Sequence, residues 1–138
     1  MKKKPSIVLA DDNAAILDVV SRMLKSRHCN VVGQIRNGAE VVKECLRLRP
    51  DIVVLDISMD TLNGIDVARD LAVSGCASRI VFLSVHEDAD FVNAAMGAGG
   101  SAYVVKSRVT TDLGSAIEAV LSDKIFVSPT VLYNEGRA

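Results

Sequence analysis

At 138 residues, with 49% hydrophobic side chains and a mean hydropathy of +0.28, the chain has enough material for one domain of ordinary size built on one core. A net charge of -1 excludes a whole-molecule field for nucleic acid or an anionic membrane, and no apolar stretch approaches spanning length, so a cytoplasmic protein with no membrane segment is expected. Lys2–Lys4 reads as a solvated start rather than a binding arm, and Cys29, Cys45 and Cys76, odd in number and without CxxC spacing, read as reduced thiols rather than a disulfide or zinc site.

Ser6–Ala10 is a short apolar run that breaks off at the adjacent acids Asp11 and Asp12, as a strand ending in carboxylates does. From Asn13, a competent N-cap, Ile16, Val19, Val20, Met23 and Leu24 recur at helical spacing to about Arg27. Val31, Val32 and Ile35 suggest a strand closed by Asn37–Gly38, and Ala39–Arg49 an amphipathic helix ended by Pro50. Ile52, Val53, Val54 and Leu55 form a run too short for a helix and rich in β-branched residues; both of its faces must be covered, and it stops at Asp56. A helix from Ile65 to about Val73 follows, with Ser74–Gly75 as its stop. Arg79–Ser84 is a fourth strand, Glu87 to about Met96 a helix with acids at its start, and Ala102–Val105 a fifth strand ending at Lys106. Thr110 or Thr111 is expected to cap a last helix through Ile117, Val120 and Leu121. These limits give one domain over residues 1–122, with 123–138 as a tail or the start of a linker.

Five strands alternating with five helices imply a parallel sheet with right-handed crossovers and helices on both faces. Parallel strands finish at one edge, so Asp11, Asp12, Asp56, Ser84 and Lys106 are gathered there from four strand ends. Three carboxylates so placed need positive charge, because each ionised pair at about 4 Å repels by roughly 4 kcal/mol at an effective dielectric of about 20. Lys106 offsets part of it, and oxygen-only ligands select a hard cation such as Mg²⁺ for the rest. A carboxylate, a metal, a cationic side chain and a hydroxyl are the parts that in-line phosphoryl transfer to an aspartate requires, with Asp56 as the central nucleophile.

With these residues in place, the chain from Ser6 to about Leu121 resembles the receiver domains of two-component response regulators. The resemblance implies a flavodoxin-like, doubly wound five-stranded parallel sheet of order 2-1-3-4-5 with five helices. It implies that Asp56 accepts a phosphoryl group from a histidine kinase or phosphotransfer protein. It further implies that Asp12 ligates Mg²⁺ directly, Asp11 chiefly through water, and Ser58 by its backbone carbonyl. Lys106 would pair with the phosphoryl group, Ser84 would turn inward to hydrogen-bond it, and Tyr103 would move into the space that Ser84 leaves. The wording from Glu87 to Lys106, and Ile125–Leu132 after it, resembles receivers that precede a LuxR-type helix-turn-helix domain. Too few residues follow the last helix to hold such a unit. The chain is therefore expected to be a receiver fragment that forms a phosphorylation-dependent homodimer and meets DNA only through a missing output domain, with a stand-alone receiver as the second choice.

Three residues depart from the family pattern. Asp60 stands where a proline is usual, Val85 where a small residue is common after the hydroxyl, and His86 at the mouth of the site; each is a candidate modulator. A pseudo-receiver that keeps the fold and drops the chemistry is the main alternative. A hydrolase with an aspartyl-phosphate intermediate would want an acid where Ser58 stands, and a flavin module would want a glycine- or hydroxyl-rich phosphate loop where Asp11 and Asp12 stand.

Overall fold

In the computed structural model, which describes residues 4–59, 63–129 and 131, every apolar run read from the sequence becomes a strand. The strands are β1 (Ser6–Ala10), β2 (Asn30–Ile35), β3 (Ile52–Asp56), β4 (Arg79–Ser84), β5 (Gly100–Val105) and β6 (Phe126–Val127). They pair in parallel in the order β2-β1-β3-β4-β5-β6. The expected 2-1-3-4-5 arrangement is present, and β6 extends it along the free edge of β5.

Alternation along the strands sorts the core into two layers. Ile7, Leu9, Ile52, Val54, Val81, Leu83, Ala102 and Val104 face α1 (Ala14–Ser26) and α5 (Val109–Leu121), where Leu17, Val20, Leu24, Leu113, Ile117 and Val120 are buried against them. Val8, Ala10, Val53, Leu55, Phe82, Tyr103 and Val105 face the other way, toward α2 (Val41–Leu48), α3 (Gly64–Val73) and α4 (Ala89–Gly97). Each large apolar side chain fully enclosed in this way, such as Phe82 or Leu55, contributes about 1.5–3 kcal/mol.

At the edge where the strands begin, a reciprocal clasp sets the register. Ser6 N–H and Oγ both donate to Asp51 Oδ2, at 2.8 and 3.1 Å, while Asp51 N–H donates back to Ser6 Oγ at 2.9 Å. It aligns Ile7 with Ile52 and hence Ala10 with Leu55.

The helix limits follow from local chemistry. Asn13 caps α1, its Oδ1 accepting from Ala15 and Ile16 N–H, a cap worth about 1 kcal/mol. Gly75, at φ +76°, supplies the left-handed turn after α3. Three differences from expectation have physical causes. Asn37 caps a separate 3-10 turn, Gly38–Glu40, so α2 begins at Val41 rather than Ala39. α4 begins at Ala89 rather than Glu87, because Asp88 is its cap, with Oδ2 accepting from Phe91 N–H. Neither Thr110 nor Thr111 caps α5: a 3-10 turn, Lys106–Arg108, runs straight into Val109, and the first turn is held by the Arg108–Asp112 ion pair at 2.7 Å. Cys29, Cys45 and Cys76 are free thiols, and burial pushes that of Cys45 up to about 12, where it is unreactive.

Candidate functional site

Two residues beyond Leu9, Val54 and Val104 on their strands come Asp11, Asp56 and Lys106, so the period of two that buries the first three on the α1/α5 side also brings the polar three together. Lys106 Nζ lies 3.0 Å from Asp11 Oδ2 and 3.2 Å from Asp56 Oδ2. Both carboxylates are only 1% exposed. Their other oxygens are taken by the loops that follow: Asp11 Oδ1 accepts from Asn13 N–H at 2.9 Å, and Asp56 Oδ1 from Ser58 N–H at 3.1 Å.

The two Oδ2 atoms are the unusual part. Each is at ion-pair distance from the ammonium but accepts no hydrogen bond of good geometry, so among the described residues these are the two buried side-chain polar atoms left unsatisfied. Burial, then the nearby charge of Asp11, push the Asp56 carboxyl above the ordinary carboxylate value, and Lys106 and the Ser58 amide only partly offset this. Burial works against the Lys106 ammonium, but contact with Asp11 and the charges of Asp56 and Asp11 outweigh it and hold its pKa above the usual lysine value. One cation is thus shared by two buried anions.

Asp12 completes the cluster. One carboxylate oxygen from each of Asp11, Asp12 and Asp56 lies within 4.8 Å of the others, and all three donors are hard oxygens. Unsatisfied buried oxygens, oxygen-only donors and a residual negative charge fit a hard divalent cation. A concavity of about 500 Å³ lined by Leu24, Arg27, Ile117 and Leu121 lies at the opposite edge of the sheet, and none of the charged cluster lines it.

Ser84 continues the other face, that of Phe82. Its buried Oγ accepts from His86 N–H at 3.0 Å, leaving its own proton to donate. Tyr103 is fully buried and its hydroxyl donates to the His86 carbonyl at 2.8 Å; burial raises its pKa. The His86 ring stacks on Phe91, with centroids 3.9 Å apart and planes 8° from parallel. The β4–α4 loop is therefore pinned at His86 from three directions. Val85 is 65% exposed, so its bulk is spent in solvent rather than over the carboxylates. Asp60 lies outside the described residues.

One positioning residue carries no chemical signal in the sequence. A Cβ on Gly64 would stand 2.4 Å from the Asp56 carbonyl oxygen and 2.7 Å from Ile57 Cα, and Gly64 N–H donates to the Ile57 carbonyl at 2.6 Å. Only glycine lets α3 start directly behind the peptide that carries Asp56. Gly64→Ala is expected to cost about 1–3 kcal/mol in denaturant unfolding and to displace Asp56; a variant as stable as the native chain would show that the loop yields freely.

Residues 7–118 match the model of the response regulator receiver domain. The chain belongs to that family. This receiver is 30% identical over 129 residues to the uncharacterized transcriptional regulatory protein YvfU of Bacillus subtilis, covering 93% of this chain and 64% of that one. It is 34% identical over 116 residues to the transcriptional regulatory protein PdtaR of Mycobacterium tuberculosis, covering 84% of this chain and 56% of the relative, so it spans little more than half to two thirds of these relatives. Among solved structures, the LuxR-family response regulator of Aurantimonas sp. SI85-9A1 superposes with a TM-score of 0.88 at 30% identity, covering 94% of this receiver and 93% of that chain. The isolated receiver of RcsB from Salmonella enterica, determined with the phosphomimetic BeF₃⁻, gives a TM-score of 0.85 at 21% identity, covering 94% and 96%, a likeness of fold. No helix among the described residues is long and apolar enough to cross a membrane.

Proposed function

We propose that this receiver takes a phosphoryl group from the phosphohistidine of a kinase or phosphotransfer protein onto Asp56, and that the charge so gained is read out by the elements around Ser84, Tyr103 and Lys106. The observation that carries this is that two buried carboxylates, Asp11 and Asp56, share one ammonium, with an Asp12 carboxylate oxygen within 4.8 Å of theirs. A structural ion pair sets one anion against one cation. Here negative charge is left over for a divalent cation to meet.

Asp11, Asp12 and Asp56, with the Ser58 carbonyl, would hold Mg²⁺, which when bound supplies positive charge to the carboxylates and to the transferring phosphoryl oxygens. An Asp56 carboxylate oxygen attacks phosphorus in line as the bond to the histidine nitrogen breaks, and the nitrogen leaves with the electron pair. Lys106 then pairs with a phosphoryl oxygen, and the Ser84 hydroxyl turns its proton to another. Tyr103 is already inside in this structure. The step left for phosphorylation is therefore the inward turn of Ser84 and the consequent shift of His86, whose carbonyl holds Tyr103. That changes the exposed surface of α4 and α5, the faces through which a homodimer and control of transcription would be governed. Residues 1–122 act as the receiver and 123–138 as a tail or the start of a linker to an output domain.

Acetyl phosphate with Mg²⁺ is expected to add one phosphoryl group per chain by intact mass, chelation of the metal to prevent it, and the modified sample to sediment as a dimer. A chain that stays unmodified under conditions where it is folded would leave a partner-binding pseudo-receiver as the better account.

A further inference from the structure

The segment after α5 does more than lie along β5. Ser128, 1% exposed, is the centre of a closed network: Val105 N–H donates to its Oγ at 3.0 Å, and its Oγ donates to Asp112 Oδ2 at 2.8 Å. Asp112, 4% exposed, accepts two further bonds from the Arg108 guanidinium at 2.7 and 3.1 Å. The Ser128 amide donates to the Tyr103 carbonyl at 2.9 Å, and Val131 N–H to the Ser128 carbonyl at 3.0 Å. The hydroxyl both donates and accepts, and no buried side-chain oxygen or nitrogen of the network is left without a partner.

Lys106 lies inside this network. The residue before it, Val105, is held by Ser128 directly; the residue two after it, Arg108, is held by Ser128 through Asp112. The backbone that aims the ammonium at Asp11 and Asp56 is thus clamped on both sides by contacts converging on one serine of the C-terminal segment. Any event that fixes Lys106 also fixes the groups that Ser128 must meet.

We propose that phosphoryl acceptance at Asp56 tightens the docking of the Phe126–Ser128 segment on β5, with Ser128 as the latch between that segment and the phosphoacceptor site. This rests on the phosphoacceptor role of Asp56. A phosphoryl group adds about -1.5 to -2 charge beside Lys106, restricts the Lys106–Arg108 turn, and so removes ordering cost from the docking of Ser128. Linkage makes the effect reciprocal: a docked tail holds Lys106 ready for the phosphoryl group.

Amide hydrogen exchange on the 138-residue chain, with and without beryllofluoride plus Mg²⁺, tests this. The probe is expected to slow exchange at Ser128 and Val131 by about fivefold or more. Ser128→Ala should speed exchange at both positions by about fivefold or more without the probe and abolish the probe-induced slowing, while Ser58, whose amide faces Asp56, still responds. Asp112→Asn, which keeps the shape and weakens the pairing with Arg108, should act in the same direction. Unchanged or faster tail exchange in the native chain while Ser58 responds overturns the coupling, and slowing that survives Ser128→Ala overturns the latch. No response even at Ser58 overturns instead the phosphoacceptor role on which the coupling rests.

Discussion

Asp56→Asn is expected to take up no phosphoryl group and yet to unfold at a higher temperature than the native chain. The first effect is chemical, since an amide oxygen is no nucleophile here. The second comes from burial: an ionised carboxylate 1% exposed carries a desolvation cost, the charge of Asp11 adds to it, and the contact to Lys106 offsets only part of the sum. A neutral amide removes the desolvation cost and the repulsion together and forfeits the contact, a net gain on the order of 1 kcal/mol, or about 3 °C for a chain of this size.

The pH dependence fixes the sign. The Asp56 pKa is raised in the folded state by burial and by Asp11, so between the ordinary value of 3.8 and the folded value the native state binds more protons than the unfolded one. Stability then falls as pH rises through that window, and the penalty is fully present above the folded value. The advantage of Asp56→Asn should accordingly be largest near neutrality and shrink as pH approaches 3.8. Thermal unfolding of both proteins across that range, without divalent cations, measures it; a variant less stable than the native chain, or a pH-independent gap, would contradict the charge balance described.

Lys106→Met should move stability the other way and further. Removing the cation strands Asp11 and Asp56 as two buried, uncompensated charges, a loss of about 3–5 kcal/mol. The folded Lys106 pKa is raised above 10.5, so its contribution is complete below that value and is lost as pH rises through the folded one. The native chain should therefore show an alkaline loss of stability that Lys106→Met lacks. Combining the variant with Asp56→Asn should return part of the loss, because one of the stranded charges is gone, and this non-additivity in denaturant unfolding is the measure of the shared ammonium. Strictly additive effects would mean that Lys106 and Asp56 do not interact.

The strands and the charged cluster were legible because they share one signal. An apolar run that ends abruptly in a polar residue marks both a buried strand and its functional end, which placed Asp11, Asp56, Ser84 and Lys106 before any geometry was known. Gly64 was not legible as a positioning residue, since its role is to leave empty a place where a Cβ would stand 2.4 Å from a carbonyl oxygen eight residues earlier, and that leaves no periodic trace. Phe126–Val127, two residues long, is too brief for alternation to reveal a strand, and its pairing is set by Ser128, a residue that looks like any loop serine. Thr110 and Thr111 looked like caps because hydroxyls usually are. The i,i+4 spacing of Arg108 and Asp112 was the better signal, and because the Lys106–Arg108 turn runs straight into Val109 both threonines lie inside the helix rather than at its start.

The clasp between Ser6 and Asp51 has an evolutionary consequence. It fixes the alignment of β1 and β3 at the edge remote from Asp11 and Asp56, using side chains that take no part in the charged cluster. The alignment of β1 and β3 owes nothing to Asp11 and Asp56, whose burial is a burden that the apolar layers carry. Mutation can therefore erase or rebuild the chemistry at one rim of the sheet while inheritance preserves the scaffold from the other, so descendants with the same outline and altered reactivity are within easy reach of this sequence.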